Sequence, residues 1–265
     1  MLILSGATLC AIVLCAVAAP WIVTHDPQMM HPAARLVPPG DKFLWGTDQL
    51  GRDLFSRVVL GARTSLMVAG VSVGISLAFG LPLGLLAAYF KKSDNLIMRS
   101  IDVLFSFPPV LLAIFIVAVI GPGTLNAMIA IGITYIPRFA RIVRSQALVV
   151  VEMDYVRAAR SVGAGTPRIF WRHIIPNIAG VLFVQISLNF ATAIIAESSL
   201  SFLGLGVQPP MPSWGAMLDQ GRALVELAPW VSIFPGLAIS ITVLSLNILG
   251  DSLRDLTDPR LRLAA

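Results

Sequence analysis

Six stretches of the chain, residues 1–23, 64–90, 101–120, 125–150, 177–203 and 231–250, are almost wholly apolar, each for the ~20 residues that a helix needs to cross the ~30 Å hydrocarbon core of a bilayer. Lipid offers a backbone no hydrogen-bond partners, so runs of this length satisfy their peptide groups internally, as helices. Composition agrees with that constraint. The chain is 57% hydrophobic and only 12% charged, where a soluble domain carries about 25% charged residues, and its mean hydropathy is +0.84. The fold class predicted is all-α: a polytopic transmembrane bundle of six helices. Both cysteines, Cys10 and Cys15, lie inside the first apolar run, which suggests neither a disulfide framework nor a metal cluster. His25, His31 and His173 have no ligand spacing.

The first 23 residues are read as a transmembrane helix; Ala16-Val17-Ala18 also has the small-residue pattern of a signal cleavage site, which stands as the alternative. Residues 24–63 are hydrophilic and carry Pro27, Pro32, Pro38 and Pro39, which forbid a continuous helix and predict an ordered loop. At its end Leu54, Phe55, Val58 and Val59 share one helical face while Arg52, Ser56 and Arg57 fall elsewhere, the pattern of an interfacial helix. Residues 64–265 hold the other five spans. The second carries Gly70, Gly74, Gly80 and Gly84, small residues that let helices approach closely, and Pro82, which predicts a kink. The third opens with Asp102 and is broken near Pro108-Pro109. The fourth carries Arg138, Arg141 and Arg144 in its second half, cations that snorkel or face polar protein and place this end at a membrane interface. The fifth contains Glu197, the one acidic residue deep in a predicted span. Such a group faces a bundle interior or aqueous path, or is solvated at the outer interface.

Between the fourth and fifth spans, residues 152–176 are polar and basic. Asp154 can cap a short helix through Val162, Gly163 can end it in a left-handed conformation, and Thr166-Pro167 can begin a second helix. Helices this short do not persist alone in water and must be docked on a surface. Tyr155, Ala159 and Val162 form one stripe and Ile169, Phe170, His173 and Ile174 another, with Arg157, Arg160, Arg168 and Arg172 off both.

The run Arg157-Ala158-Ala159, then Gly163, then His173 and Ile175-Pro176 resembles the cytoplasmic "EAA" loop of binding-protein-dependent ABC importer permeases. Arg157 stands where that family often has Glu, and His173 where it often has Ile. The segments WGTDQLGRDLFSRVVLGARTSL, AESSLSFLGLG through VQPPMPSWGAMLDQGR, and GDSLRDLTDPR are similar to blocks of dipeptide and oligopeptide permeases of the second-permease type. The resemblance implies that Arg157, Ala158, Ala159, Gly163, Ile175 and Pro176 belong to coupling helices that contact an ATPase. It also implies a second related permease, two ATPase subunits and an extracytoplasmic substrate-binding protein as partners in the bacterial inner membrane. ATP and Mg would sit on the ATPases, with no cofactor on this chain and no nucleic-acid partner. Lys92-Ser93 is the one Lys-Ser/Thr pair, and Lys91 precedes it where a phosphate-binding loop needs glycine.

With the odd-numbered loops outside, thirteen Lys and Arg lie inside and six outside, the positive-inside pattern, which predicts both termini and segment 152–176 on the cytoplasmic side. The substrate implied is a di- or oligopeptide, with nickel, glutathione or opines as alternatives. An ion-coupled secondary transporter is the reading from a different class; it calls for intramembrane charges and an internal repeat. Only Glu197 and Asp102 qualify as such charges, and the halves show no repeat. An intramembrane hydrolase would need a nucleophile–base pair or metal ligands within the spans, and the sequence shows none.

Overall fold

The computed structural model describes residues 2–257, and side chains as far as residue 255. The three C-terminal residues of the GDSLRDLTDPR block, Asp258 to Arg260, lie outside them. In order, the helices are α1 (Leu2–Val17), α2 (Ala19–Ile22), α3 (Leu54–Tyr89), α4 (Lys91–Phe105), α5 (Pro109–Ile120), α6 (Thr124–Val151), α7 (Asp154–Ser161), α8 (Thr166–Ile169), α9 (Ile175–Phe202), α10 (Trp214–Arg222) and α11 (Trp230–Thr257). A single π-helical turn, Phe170–Ile174, joins α8 to α9. Among the described residues there is no strand, only an isolated bridge between Thr47 and Asp53.

The all-α membrane bundle predicted is what the chain forms. Leu54–Tyr89, the continuous run Thr166–Phe202 and Trp230–Asp255 are each long and apolar enough to cross a membrane, and the pair α4–α5 can make a fourth span. Two of the six expected spans are less regular. The first is split, since α1 has 16 residues and Pro20 opens the separate four-residue α2. The fourth, α6, is 28 residues long but carries its three arginines in its second half.

Two expectations about the region before the second span are corrected. The interfacial helix and the span are one 36-residue helix, α3, about 54 Å long at 1.5 Å per residue. Asp53 caps it by accepting the Ser56 amide at 3.0 Å, and nothing between Leu54 and Thr64 breaks it. Its first turns are not at a lipid interface either. Leu54, Val58 and Ala62 pack with Ala16, Trp214 and Met217, and Ser56 and Arg57 on the other faces are equally buried. The loop and α10 enclose this end of α3.

α3 and α6 form the centre of the bundle. A Cβ on Gly84 would stand 2.6 Å from the Val143 Cβ, and one on Gly132 would stand 2.8 Å from the Ile75 Cβ, so the two backbones pass too close for any larger residue. α9 closes the core with Ala191, Ile194 and Leu200 against Val68, Val73, Ile131 and Phe139. The break near Pro108-Pro109 is sharp: α4 and α5 meet at 87°, because Pro108 has no amide to continue α4 and Pro109 starts a new first turn.

Candidate functional site

The segment between α6 and α9 folds into the expected pair of short helices, with shifted caps. Met153, in extended backbone, occupies the N-cap of α7, and Asp154 is its first helical residue, where a carboxylate still complements the helix dipole. Gly165 is the N-cap of α8, one residue before Thr166. Gly163 has φ +83°. Its amide donates to the Arg160 carbonyl at 2.9 Å and the Ala164 amide to that of Ala159 at 3.0 Å, the two bonds of a Schellman motif. The second helix does not end where a short helix would. Pro176 offers no amide and crowds the carbonyl four residues earlier, and the chain widens into the π turn, with Ile175 N–H bonded to the Phe170 carbonyl, before continuing as α9.

Of the two stripes, the second docks through Ile169, Phe170 and Ile174, and the first is corrected. Val156, Ile169 and Ile174 are fully buried, in one cluster with Leu85 of α3, Val143 and Val150 of α6 and Ile178 of α9. In the first stripe, Tyr155, Ala159 and Val162, Ala159 is half-buried while Tyr155 and Val162 face outward, with Val162 85% exposed and Trp171 72% exposed beside it. Between α7 and α8 lies an open groove of about 390 Å³ lined by Ala159, Val162, Gly163, Ala164, Arg168, Arg172 and His173. Of the predicted contact residues, Ala159 and Gly163 line it, while Arg157, Ala158 and Pro176 are exposed around it. Ile175 instead packs against the bundle core.

Arg160 lies 4.3 Å over the Tyr89 ring, which meets Phe170 edge-on at 5.3 Å, tying α7 and the π turn to the end of α3. Arg157 pairs with Glu152 at 2.5 Å, both well exposed, and the guanidinium holds the Glu152 carboxyl below the usual carboxylate range. The departure at Arg157 thus has a local partner just before α7. Deeper in α6, Arg144 grips Asp94 of α4 with two bonds of 2.6 Å, and Arg141 reaches Asp102 at 2.6 Å. These arginines face protein.

The opposite end of the bundle holds charges of another kind, whose arrangement the sequence did not reveal. Asp48 accepts from the Leu50 and Arg52 amides at 2.8 and 3.0 Å and from Arg52 Nε at 2.7 Å. Arg57 Nε lies 3.5 Å from the same carboxylate, and Arg52 also donates to Gln220 of α10 at 3.0 Å. Thr24 donates to Asp53 at 3.1 Å. Four buried charges between residues 48 and 57 were the available signal; their partners lie up to 168 residues away.

Of the places open to Glu197, the structure gives it the bundle interior. It lines no surface of this chain and is not solvated. It is fully buried and accepts from Ser65 at 3.1 Å and from Ser201 at 2.8 Å. The Val207 amide donates in turn to Ser201 and that of Trp214 to Ser65, at 3.1 and 3.3 Å. The carboxyl therefore knots α3 and α9 to the segment that leads into α10.

The sequence is similar to those of known proteins along most of its length. The di/tripeptide transport system permease protein of Pseudomonas aeruginosa is 46% identical over 261 residues, 96% of this chain and 86% of that protein. The dipeptide transport system permease of Alkalihalophilus pseudofirmus is 43% identical over 94% of this chain and 83% of that protein. The glutathione transport system permease of Pectobacterium atrosepticum is 46% identical over 92% and 82%. The fold matches a chain of the inward-facing MetNI methionine ABC transporter with a TM-score of 0.63 at 20% identity, over 76% of this chain and 97% of that one. Residues 80–263 match the family described as the inner membrane component of binding-protein-dependent transport systems. Sequence and fold together make the chain a member of that permease family.

Proposed function

We propose that this chain is one half of the translocation pore of an ATP-driven importer of di- and oligopeptides, with the α7–α8 elbow as its contact with an ATPase subunit. The observation that carries this reading is the elbow itself. It is held on the bundle by Val156, Ile169 and Ile174, yet it turns Val162, Tyr155, Trp171 and its arginines outward, an apolar patch ringed by cations that a lone chain does not cover. Because α8, the π turn and α9 form one run of 37 residues, a displacement of the elbow by a closing ATPase pair passes directly along α9. ATP hydrolysis belongs to the partner subunits, and a second permease completes the pore. The thirteen-to-six excess of basic residues supports a cytoplasmic elbow and an outer Asp48–Arg57 network, on the side where an extracytoplasmic binding protein delivers cargo. The peptide and glutathione permeases among its relatives support a peptide-like substrate.

The test is uptake by the reconstituted complex of this chain, its second permease, the ATPases and the binding protein. Labelled dialanine should enter proteoliposomes only when ATP and binding protein are both supplied. Uptake driven by a proton or sodium gradient without ATP would instead establish the ion-coupled class.

A further inference from the structure

Arg138, Arg141 and Arg144 stand at i, i+3 and i+6 on α6, and α4 answers two of them. Arg144 is paired with Asp94; Arg141 is paired with Asp102, its guanidinium lying 4.0 Å from the centre of the Phe105 ring. Arg138, the deepest of the three, has no hydrogen-bond or ion-pair partner among the described residues. α4 ends at Phe105, and the chain turns away by 87° into α5, so no third carboxylate from α4 meets it. In that place is a cavity of about 170 Å³, lined by Phe105, Phe107, Pro109, Thr134, Tyr135 and Arg138.

The depth of Arg138 limits what can fill the gap. It is the fifteenth residue of a 28-residue helix, about 20 Å along that helix from either end at 1.5 Å per residue, and further from the α7–α8 elbow than either of its two paired neighbours. A half-buried guanidinium at such depth faces protein, a water-filled path or a counter-ion. The other polar groups of the cavity are engaged: Thr134 donates to the Ile131 carbonyl at 2.8 Å and Tyr135 to that of Thr192 at 3.4 Å. Arg138 therefore holds the free donors there, a planar fork suited to a carboxylate, and its apolar walls reduce competition from water.

We propose that Arg138 is a recognition residue on the translocation path, receiving a carboxylate of the peptide cargo at the α4–α5 break. The proposal rests on the permease reading above. A cavity this size holds a terminal residue and not a whole peptide, since pockets for drug-sized ligands run to roughly 300 Å³ and more. Cargo of different lengths would share the one group that every peptide carries, and the rest of each peptide would lie in the pore outside this chain.

The experiment compares Arg138→Gln and Arg138→Lys in the complete reconstituted importer, with dialanine as cargo at saturating binding protein. It reads uptake and, separately, the ATP hydrolysis that loaded binding protein stimulates. The Gln variant should assemble and keep its stimulated hydrolysis within about twofold, while its uptake falls roughly ten- to a hundredfold, the range of one charge-assisted hydrogen bond. The Lys variant should recover at least about half of the uptake, since it restores the charge. Wild-type uptake in the Gln variant would overturn the proposal. So would loss of assembly in both variants, or a parallel fall of hydrolysis and uptake, because Arg138 would then be pairing with the second permease. If the wild-type complex itself shows no ATP-dependent uptake, the permease reading falls and the proposal falls with it.

Discussion

Both ends of this bundle carry short helices and clustered charge, but they treat them in opposite ways. At the end formed by residues 24–53 and α10, Asp48, Arg52, Asp53 and Arg57 are buried, with both arginines on Asp48 and with Asp53 held by Thr24 and Ser56. At the α7–α8 end, Arg157, Arg160, Arg168 and Arg172 are exposed, and Val162 and Trp171 stand out beside them. Charges taken out of water carry a desolvation cost that only internal partners offset, so the first group acts on the chain's own fold. Charges left in water next to uncovered apolar side chains contribute little to that fold and remain available to another protein. Residues of the first end should therefore govern whether the chain survives, and residues of the second whether it works.

The strongest loss is expected at the buried end. Asp48→Ala removes the acceptor of two amides and of Arg52 Nε and strips Arg57 of its counter-charge, which should cost about 3–5 kcal/mol. Thermal unfolding of the detergent-solubilised complex, with chain abundance in the membrane, measures it; an Asp48→Ala chain as stable as wild type would erase the contrast between the ends. Glu197→Gln should cost less, about 1–3 kcal/mol, because the amide keeps one acceptor but turns an NH₂ toward a serine that now donates to the carboxylate. Stability should fall without altered preference among peptides, and a changed preference at unchanged stability would return Glu197 to the transport path.

At the other end, Gly163→Asp separates working from folding. A Cβ there meets nothing within 4 Å, so the fold loses only the roughly 1–2 kcal/mol of a left-handed L-residue. The chain should stay abundant while uptake, and the stimulation of ATP hydrolysis by loaded binding protein, are abolished. Coupling at the wild-type level in this variant would sever Gly163 from the ATPase contact. Arg157→Ala should be the mildest change, with uptake within about twofold, as an exposed ion pair contributes about 0–1 kcal/mol. Since Arg157 holds the Glu152 carboxyl down, what the pair contributes is present above the ordinary carboxylate range and fades as pH falls through the lowered value. Wild type and Arg157→Ala should therefore converge in acid, which an uptake profile over pH would check.

How far the sequence could be read depended on whether a feature was local. The left-handed turn at Gly163 was legible because Val162-Gly163 and the following Gly165-Thr166-Pro167 specify it within a few residues. The caps slipped by one residue, to Met153 and Gly165, because the paths of α6 and α9 decide where the backbone enters and leaves each helix. The outward stripe of α7 was misread for a more basic reason: an eight-residue amphipathic helix has an apolar face whether it meets its own bundle or a partner. Val156 is the docked residue because it reaches Leu85 and Val150, neighbours that no helical period names. The same blindness to distant partners hid the roles of Asp48 and Glu197, whose bonds to Gln220 through Arg52 and to Ser65 cross more than 130 residues. Arg138 looked like its two neighbours on α6 until the bend after α4 left it without a carboxylate.

That the α7–α8 elbow is where the ATPase docks can be tested by a cross-link from its most exposed apolar position. With Cys10 and Cys15 replaced by serine, the Val162→Cys variant in the assembled complex should be joined by a short thiol–amine cross-linker to an ATPase subunit, and added ATP should change the yield. If the thiol of the Val162→Cys variant reacted with an impermeant reagent from outside intact cells, or never joined the ATPase in an active complex, the elbow would not be the docking site.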